Sequence, residues 1–322
     1  MRHVLTLLWA AGCSSPPKII PDDGTASDTA TEEPVDAVDF DGVGTFQLEL
    51  VPPRGDDSGE AAILGTVLDG PTPGTVVWEV AATEGDCELR TPRVPFCDPG
   101  CSSSEACVED DVCQAYPTAI EVGTVDVAGV QTTAGETRFS MDPVAGYYQP
   151  AADIDLAWPP FAEGDMVTFT ASGNASAPPF TMTAHGIAPL DITSETITFT
   201  DGEPVQVEWA PGDQPELSVM NISVNISYHA GTKGTISCQT PDSGTLELSG
   251  SMLDDLKALG ISGWPIIVFS RTSLGTTDPD VAVDLLIESS VTRNVEIPGL
   301  ISCNSDADCP DGQTCQFDFQ CG

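Results

Sequence analysis

Basic residues are scarce in this chain. Only 10 Lys and Arg stand against 50 Asp and Glu in 322 residues, which gives a formal net charge of −40. Nucleic-acid binding depends on clustered Lys and Arg, and anionic lipid head groups attract the same side chains. The composition therefore excludes nucleic-acid binding and electrostatic docking on acidic lipids. The acids could serve to bind cations or a basic partner, but because they are scattered along the chain we favour a role in solubility.

Histidine is also scarce, with three in the whole chain. His185 and His229 do not form a metal-binding pair of the H-E-x-x-H type, and no nucleophile elbow is present. Paired acids such as Asp153 and Asp155 leave one catalytic alternative, a carboxylate-dependent hydrolase of envelope or environmental polymers. Such pairs arise by chance among so many carboxylates. We therefore expect a protein that is not an enzyme and has no cofactor.

Long hydrophobic runs are missing as well. The apolar stretch at residues 4–11 is far shorter than the roughly 20 residues that a membrane-spanning helix needs. It follows Arg2 and precedes small residues, a plan typical of a secretory signal. We expect residues 1–12 to be a signal peptide.

The end of this signal reads AAGC, with Ala10, Ala11 and Gly12 directly before Cys13. This resembles the bacterial lipobox. The resemblance implies that Cys13 receives a diacylglycerol, becomes the mature N-terminus and holds the protein at the envelope, where we favour the outer membrane. Cysteine parity agrees, because removing Cys13 from eleven cysteines leaves an even set. The alternative is ordinary cleavage that leaves Cys13 free or disulfide-bonded.

Two kinds of chain follow the cysteine. Residues 13–42 are acidic and rich in Pro, and cannot bury enough surface to fold, so we expect an extended tether. From residue 43 onward, short apolar alternations are separated by Gly, Pro, Asp and Asn. In MNISVNISY, at 220–228, one face is apolar and the other polar, the period of a half-buried strand.

This pattern predicts a mainly β fold, with two antiparallel sandwiches similar to immunoglobulin or fibronectin type III domains. The expected domains are 43–178, carrying a cysteine-rich insertion at 87–113, and 179–300. A cysteine-rich module at 301–322 follows. One helix is expected in SGSMLDDLKALG, capped by Ser251 and ended by Gly260, and Trp209 is expected to be buried.

The sharpest motifs are two cysteine clusters, CDPGCSSSEACVEDDVC and CNSDADCPDGQTCQFDFQC. Each is too short and polar to fold by burial, so we expect two disulfides in each. The candidates are Cys97, Cys101, Cys107 and Cys113 in the first cluster, and Cys303, Cys309, Cys315 and Cys321 in the second. Four cysteines allow three pairings; we expect first to third and second to fourth. Parity then pairs Cys87 with Cys238.

These clusters resemble cysteine-rich elements in envelope lipoproteins of myxobacteria and their relatives. The resemblance implies a location and a lineage rather than an activity. Zinc is the alternative use of clustered cysteines, but no short C-x-x-C pair is present. Asp306, Asp308 and Asp311, followed by a glycine, are weak candidates for calcium, because the distant Glu of a helix-loop-helix site is missing.

Four aromatic residues lie in YYQPAADIDLAWPPF, at Tyr147, Tyr148, Trp158 and Phe161. Exposed on a loop, they would suit stacking on a sugar or peptide. The alternative, which we favour, is that they fill the join between the sandwiches. We expect a lipid-anchored extracytoplasmic β protein with a binding, adhesion or structural role, whose partners are the membrane through its lipid and a protein or glycan ligand.

Overall fold

The computed structural model of this chain describes residues 42–55, 57–194, 197–228, 231–276 and 281–322. The expected signal peptide, Cys13, nearly all of the expected tether and His229 lie outside these ranges. Within them, no helix is both long enough and apolar enough to cross a membrane.

The described residues form eighteen strands and one α-helix. In chain order these are β1 (Val43–Val51), β2 (Glu60–Leu68), β3 (Val77–Glu84), β4 (Cys87–Arg93), β5 (Glu105–Glu109), β6 (Val112–Ala115), β7 (Val125–Ala128), β8 (Arg138–Met141), β9 (Tyr147–Tyr148), β10 (Met166–Ala171), β11 (Phe180–His185), β12 (Ile197–Thr198), β13 (Val205–Glu208), β14 (Val219–Tyr228), β15 (Thr235–Pro241), β16 (Thr245–Leu248), α1 (Gly250–Ala258), β17 (Trp264–Thr276) and β18 (Ala282–Glu296). The prediction of a mainly β fold is confirmed.

One large sheet organises the molecule. Its strands run in the order β3-β4-β15-β14-β17-β18-β1-β2-β9, and β12 also pairs with β18. Most neighbours are antiparallel, but β1 and β12 each pair with β18 in parallel. The expectation of purely antiparallel sheets differs from the structure at these two pairs. A period of two identifies a strand but does not say which distant strand lies beside it.

A second sheet, β11-β10-β7-β8, packs over one half of the large sheet. Alternate residues of both sheets interdigitate, as in a sandwich. Phe46 from β1 contacts Phe169 from β10, with ring centroids 5.9 Å apart. Gly65 on β2 is required here, because an added Cβ would lie 2.2 Å from the Phe46 ring. This first core fixes the position of β1, β2 and the N-terminal half of β18.

A second core covers the other half of the same sheet face. Helix α1 and the two-stranded sheet β13–β16 pack on β14, β15 and β17, with Trp209 and Leu256 buried among them. The helix begins two residues earlier than expected. Ser249, rather than Ser251, caps it by accepting from the Met252 N–H over 3.1 Å, because the apolar residues that pack on the sheet begin at Met252.

A buried polar seam separates the two cores. Arg271 of β17, 1% exposed, donates through Nε to an Asp242 carboxylate oxygen over 2.8 Å. Trp209 Nε1 donates to the same carboxylate over 2.7 Å. Beside it on β18, the Ser289 hydroxyl accepts from the Leu190 N–H and donates to the Leu50 carbonyl oxygen. The seam therefore ties the segment between the two cores to the middle of the sheet.

The change of core falls between Ile187, in the first core, and Leu190, in the second. Ala177 and Phe180, on either side of the expected boundary near 178, both belong to the first core. In the large sheet, four neighbouring strands from 179–300 lie between strands from 43–178 on either side. The division into two separate domains stays a prediction.

Candidate functional site

The ten described cysteines form five disulfides. Cys97 is bonded to Cys107 and Cys101 to Cys113 in the first module; Cys303 is bonded to Cys315 and Cys309 to Cys321 in the second. This is the expected pairing of first with third and second with fourth. Cys87 is bonded to Cys238 across the neighbouring strands β4 and β15. Disulfides at this density are typical of proteins from oxidising compartments outside the cytoplasm.

Each module also contains three sulfur atoms within 4.8 Å of one another. All of these sulfurs belong to disulfides, so they carry no thiolate to offer zinc. Of the described residues, no other His, Cys, Asp and Glu groups come together in this way.

The second module, residues 301–322, docks on the body at Gly263, directly before β17. The Gly263 N–H donates to the Asp318 carbonyl oxygen over 2.6 Å. Its carbonyl oxygen accepts from Ser302 Oγ over 2.7 Å and from Gln320 Nε2 over 2.5 Å. Gly263 has φ 62°, a left-handed conformation that glycine adopts without steric cost. Because Gln320 is buried, the joint is fixed by hydrogen bonds that water does not reach.

This joint brings Phe319 against Trp264, the first residue of β17. Their ring centroids lie 5.3 Å apart, with the planes inclined by 38°. Phe319 has φ 60°, a conformation that is unfavourable for a bulky side chain. Residues held in such conformations persist only where the surrounding structure imposes them, and they cluster at functional sites. The docked module therefore fixes one ring on another at the edge of the body.

Two adjoining cavities open at this ring pair, with volumes of about 780 and 410 Å³. Both are lined by Trp264, Asn294 and Glu296. We call them together the module groove, and distinguish the larger and the smaller subsite. Volumes of this size fall within the usual range for small-ligand pockets, roughly 300–1,000 Å³.

The larger subsite adds Phe319, Arg54 and Arg293 to these shared residues. Arg54 comes from the β1–β2 connection and Arg293 from the end of β18, so the fold brings together residues far apart in the chain. Of the described carboxylates, none forms an ion pair with either arginine. Two guanidinium groups therefore line the same subsite, in a chain whose composition is strongly acidic.

The calcium candidates have other uses. Asp306 accepts from the Cys315 N–H over 2.8 Å. Asp308 accepts from the N–H groups of Asn304 and Ser305, and these bonds lower its pKa below the ordinary value. Asp311 is exposed. Among the described residues, the three carboxylates do not form a cluster that could hold a metal ion. Asp306 and Asp308 thus hold the loop of the module together.

The four aromatic residues of the YYQPAADIDLAWPPF segment are divided by burial. Tyr148 and Phe161 are buried in the first core, and Trp158 packs against it. The Tyr148 hydroxyl accepts from the Val122 N–H over 2.7 Å. Only Tyr147 is exposed, at 54%. Three of the four rings therefore pack in or against the first core rather than at the join between two sandwiches, where we expected them.

Within the described part of the chain, no two carboxylates face each other in the module groove. Of the residues that the structure describes, Glu296 is the one carboxylate that lines either subsite. Asp153 and Asp155 lie exposed in the connection between β9 and β10. Glu49 and Glu288 do face each other, on β1 and β18. Burial and then Glu288 raise the pKa of Glu49, but the pair lies on the open face of the sheet rather than in a cleft.

Sequence reasoning missed Trp264, Phe319, Arg54 and Arg293. A sequence signal existed only for Phe319, which lies in a recognised cysteine cluster. The others come from three separate places in the chain that meet only through the parallel β1–β18 pair and the docking at Gly263.

Comparisons with known proteins add little. No protein-family model matches the chain, and no curated protein matches it. Among solved structures, the chain is similar to the crystal structure of the chicken CNTN1 FN1–FN3 domains, at 8% identity over 73% of this chain and 71% of that chain. The TM-score of 0.18 is too low for this likeness to carry an argument about the fold or the function.

Proposed function

We propose that this chain is an exported envelope lipoprotein that binds a glycan in the module groove without acting as an enzyme. The single observation that carries the binding function is the groove, where Trp264 and Phe319 form an aromatic platform beside amide and guanidinium side chains. Aromatic rings pack on the C–H face of a sugar, and planar polar side chains bond its hydroxyl groups.

The anchor is a separate part of the proposal. The lipobox-like sequence before Cys13 and the pairing of all other cysteines support lipid attachment at that residue. Five disulfides support export to an oxidising compartment, and we propose the outer membrane as the destination. Intact mass of the protein from membranes, measured without reduction, is expected to show a diacylglycerol on the wild type and none on Cys13→Ser. Equal masses apart from the substitution would contradict the anchor.

The binding function is tested with the full chain in detergent on an array of neutral and acidic oligosaccharides. We expect retention of a subset of glycans by the wild type and its loss in Trp264→Ala. Phe96→Ala is the matched control, because Phe96 is an exposed aromatic residue beside the first module. Absence of binding to every glycan, or equal loss in both variants, would contradict a glycan site in the groove.

The hydrolase alternative has no observation in its favour. It needs two carboxylates across a cleft, and Glu296 is the one described carboxylate that lines either subsite. We therefore do not propose it.

A further inference from the structure

We propose that the glycan bound in the module groove is acidic, with a carboxylated sugar in the larger subsite and a neutral sugar in the smaller one. This inference rests on the proposed function and names the class of ligand. The two subsites meet at Trp264, Asn294 and Glu296, so a chain of at least two sugar units would cross the groove at the tryptophan ring.

Charge distinguishes the two subsites. The larger one is lined by Arg54 and Arg293, and the smaller one by neither. A guanidinium group offers donors in a planar fork that fits a carboxylate. The larger subsite therefore suits the carboxylate of a uronic acid, while Thr198 and Ser302 in the smaller one suit hydroxyl groups.

The acidity of the whole protein does not prevent this. At physiological ionic strength the Debye length is about 8 Å, so exposed acids farther away are largely screened. Glu296 is the carboxylate that lines the groove itself, and it belongs to both subsites. It disfavours a carboxylated sugar in the smaller subsite, where no arginine offsets its charge. Glu296 thus determines the orientation in which the ligand binds.

Within the described chain, Arg293 Nη1 donates to the Thr292 carbonyl oxygen over 3.4 Å, a contact that does not neutralise the charge of the guanidinium group. Four other basic side chains form ion pairs with carboxylates, namely those of Arg90, Arg93, Lys257 and Arg271. Arg54 and Arg293 form none with a described carboxylate, and neither do Arg138 and Lys233; what distinguishes Arg54 and Arg293 is that both line the larger subsite. Their common position beside an aromatic pair points to an anion from outside the chain.

The test uses an oligouronate and the same oligosaccharide after its carboxyl groups have been reduced to alcohols. Binding to the full chain in detergent is measured by calorimetry. We expect the oligouronate to bind about ten- to hundredfold more tightly than the reduced form, the usual effect of charge-assisted hydrogen bonds. Arg293→Gln is expected to remove most of this preference while binding of the reduced form persists. Arg138→Gln is the control, because Arg138 is exposed on β8, away from the groove.

The outcomes separate this inference from the proposed function. Equal binding of the acidic and reduced forms would overturn the inference and leave glycan binding in place. No binding of any oligosaccharide would overturn both. If Arg293→Gln left the preference for the oligouronate unchanged, the acidic sugar would bind elsewhere and the inference would be overturned. Binding of an acidic peptide without any glycan binding would also overturn it.

Discussion

The two cysteine modules have the same internal pairing but are attached to the body in different ways. Residues 97–113 are held by an exposed ion pair, in which Arg93 of β4 donates to Asp110 over 2.8 Å. Residues 301–322 are held by buried hydrogen bonds at Gly263. Beside the first module, the apolar side chain of Phe96 is exposed. The second module packs Phe319 against Trp264 and lines the larger subsite of the module groove. A repeated cysteine motif thus specifies cross-links, while the docking contacts determine which module lines the groove.

The largest expected effect concerns the sheet that carries both modules. Asp242→Ala leaves Arg271 buried without its carboxylate, so we expect it to lower the free energy of unfolding by about 3–5 kcal/mol. Burial raises the pKa of Asp242, but bonds from Arg271, Trp209 and Ser218 outweigh it and hold the pKa below its ordinary 3.8. The stabilisation is therefore complete above that value and is lost as pH falls through the lowered pKa.

Urea unfolding at neutral pH measures this change. Asp242→Asn, which keeps one acceptor oxygen, should cost less than Asp242→Ala. Disrupting the exposed first-module pair with Asp110→Asn should leave the unfolding midpoint near that of the wild type, because exposed ion pairs contribute little. A midpoint for Asp242→Ala that also matched the wild type would refute the role assigned to the seam.

The next effect separates the modules by function. Removing one disulfide from each, with Cys97→Ser/Cys107→Ser and Cys303→Ser/Cys315→Ser, opens loops of similar length, 10 and 12 residues apart in sequence. Each should lose about 2–3 kcal/mol of local stability by the loop-entropy estimate. Only the second double variant should lose glycan binding in calorimetry. Equal loss of binding in both would show that the modules do not differ as described.

A smaller effect is expected from the docking joint. Gln320→Ala removes a buried donor to Gly263, a change worth about 1–2 kcal/mol. Hydrogen exchange should quicken in residues 301–322 while residues 97–113 exchange as in the wild type. Exchange that quickened in both modules, or in neither, would mean that Gln320 does not hold the second module.

The smallest effect distinguishes by salt a carboxylate at the attachment of the first module, Asp110, from one inside the second module, Asp308. The Phe96 N–H and then Arg93 lower the pKa of Asp110, whereas the pKa of Asp308 is lowered by the Asn304 and Ser305 N–H groups. Both carboxylates should titrate below their ordinary value in NMR. The hydrogen bonds that Asp110 and Asp308 accept should be lost as pH falls further. Raising the salt concentration should move the pKa of Asp110 upward more than that of Asp308, because only Asp110 faces a charge. Identical salt shifts would contradict this.

The sequence predicts local features of this molecule well. Alternation identifies β14, glycine and serine mark the ends of α1, and parity pairs Cys87 with Cys238. Within each cysteine cluster the observed pairing is one of three that the sequence allows. These features depend on neighbours in the chain. The parallel pairing of β1 with β18 depends on residues that are distant in sequence, so periodicity could not reveal it.

The groove could not be predicted for the same reason. Trp264 follows the loop after α1, Arg54 lies in a turn, and Arg293 ends a long strand. Each residue is ordinary in its own segment. The buried Arg271–Asp242 pair was missed because one arginine in a strand gives no sign that it points inward. The sequence did point to Tyr147, Tyr148, Trp158 and Phe161, three of which are packed in or against the first core.

NMR mapping of a bound oligouronate on the full chain in detergent tests the central claim most directly. Ligand should perturb the backbone signals of Arg54, Gly263, Trp264, residues 292–296 and Phe319, and leave the first module at 97–113 unchanged. Perturbation centred on 97–113, or on the open sheet face around Glu49 and Glu288, would contradict the claim that the docked second module forms the binding site.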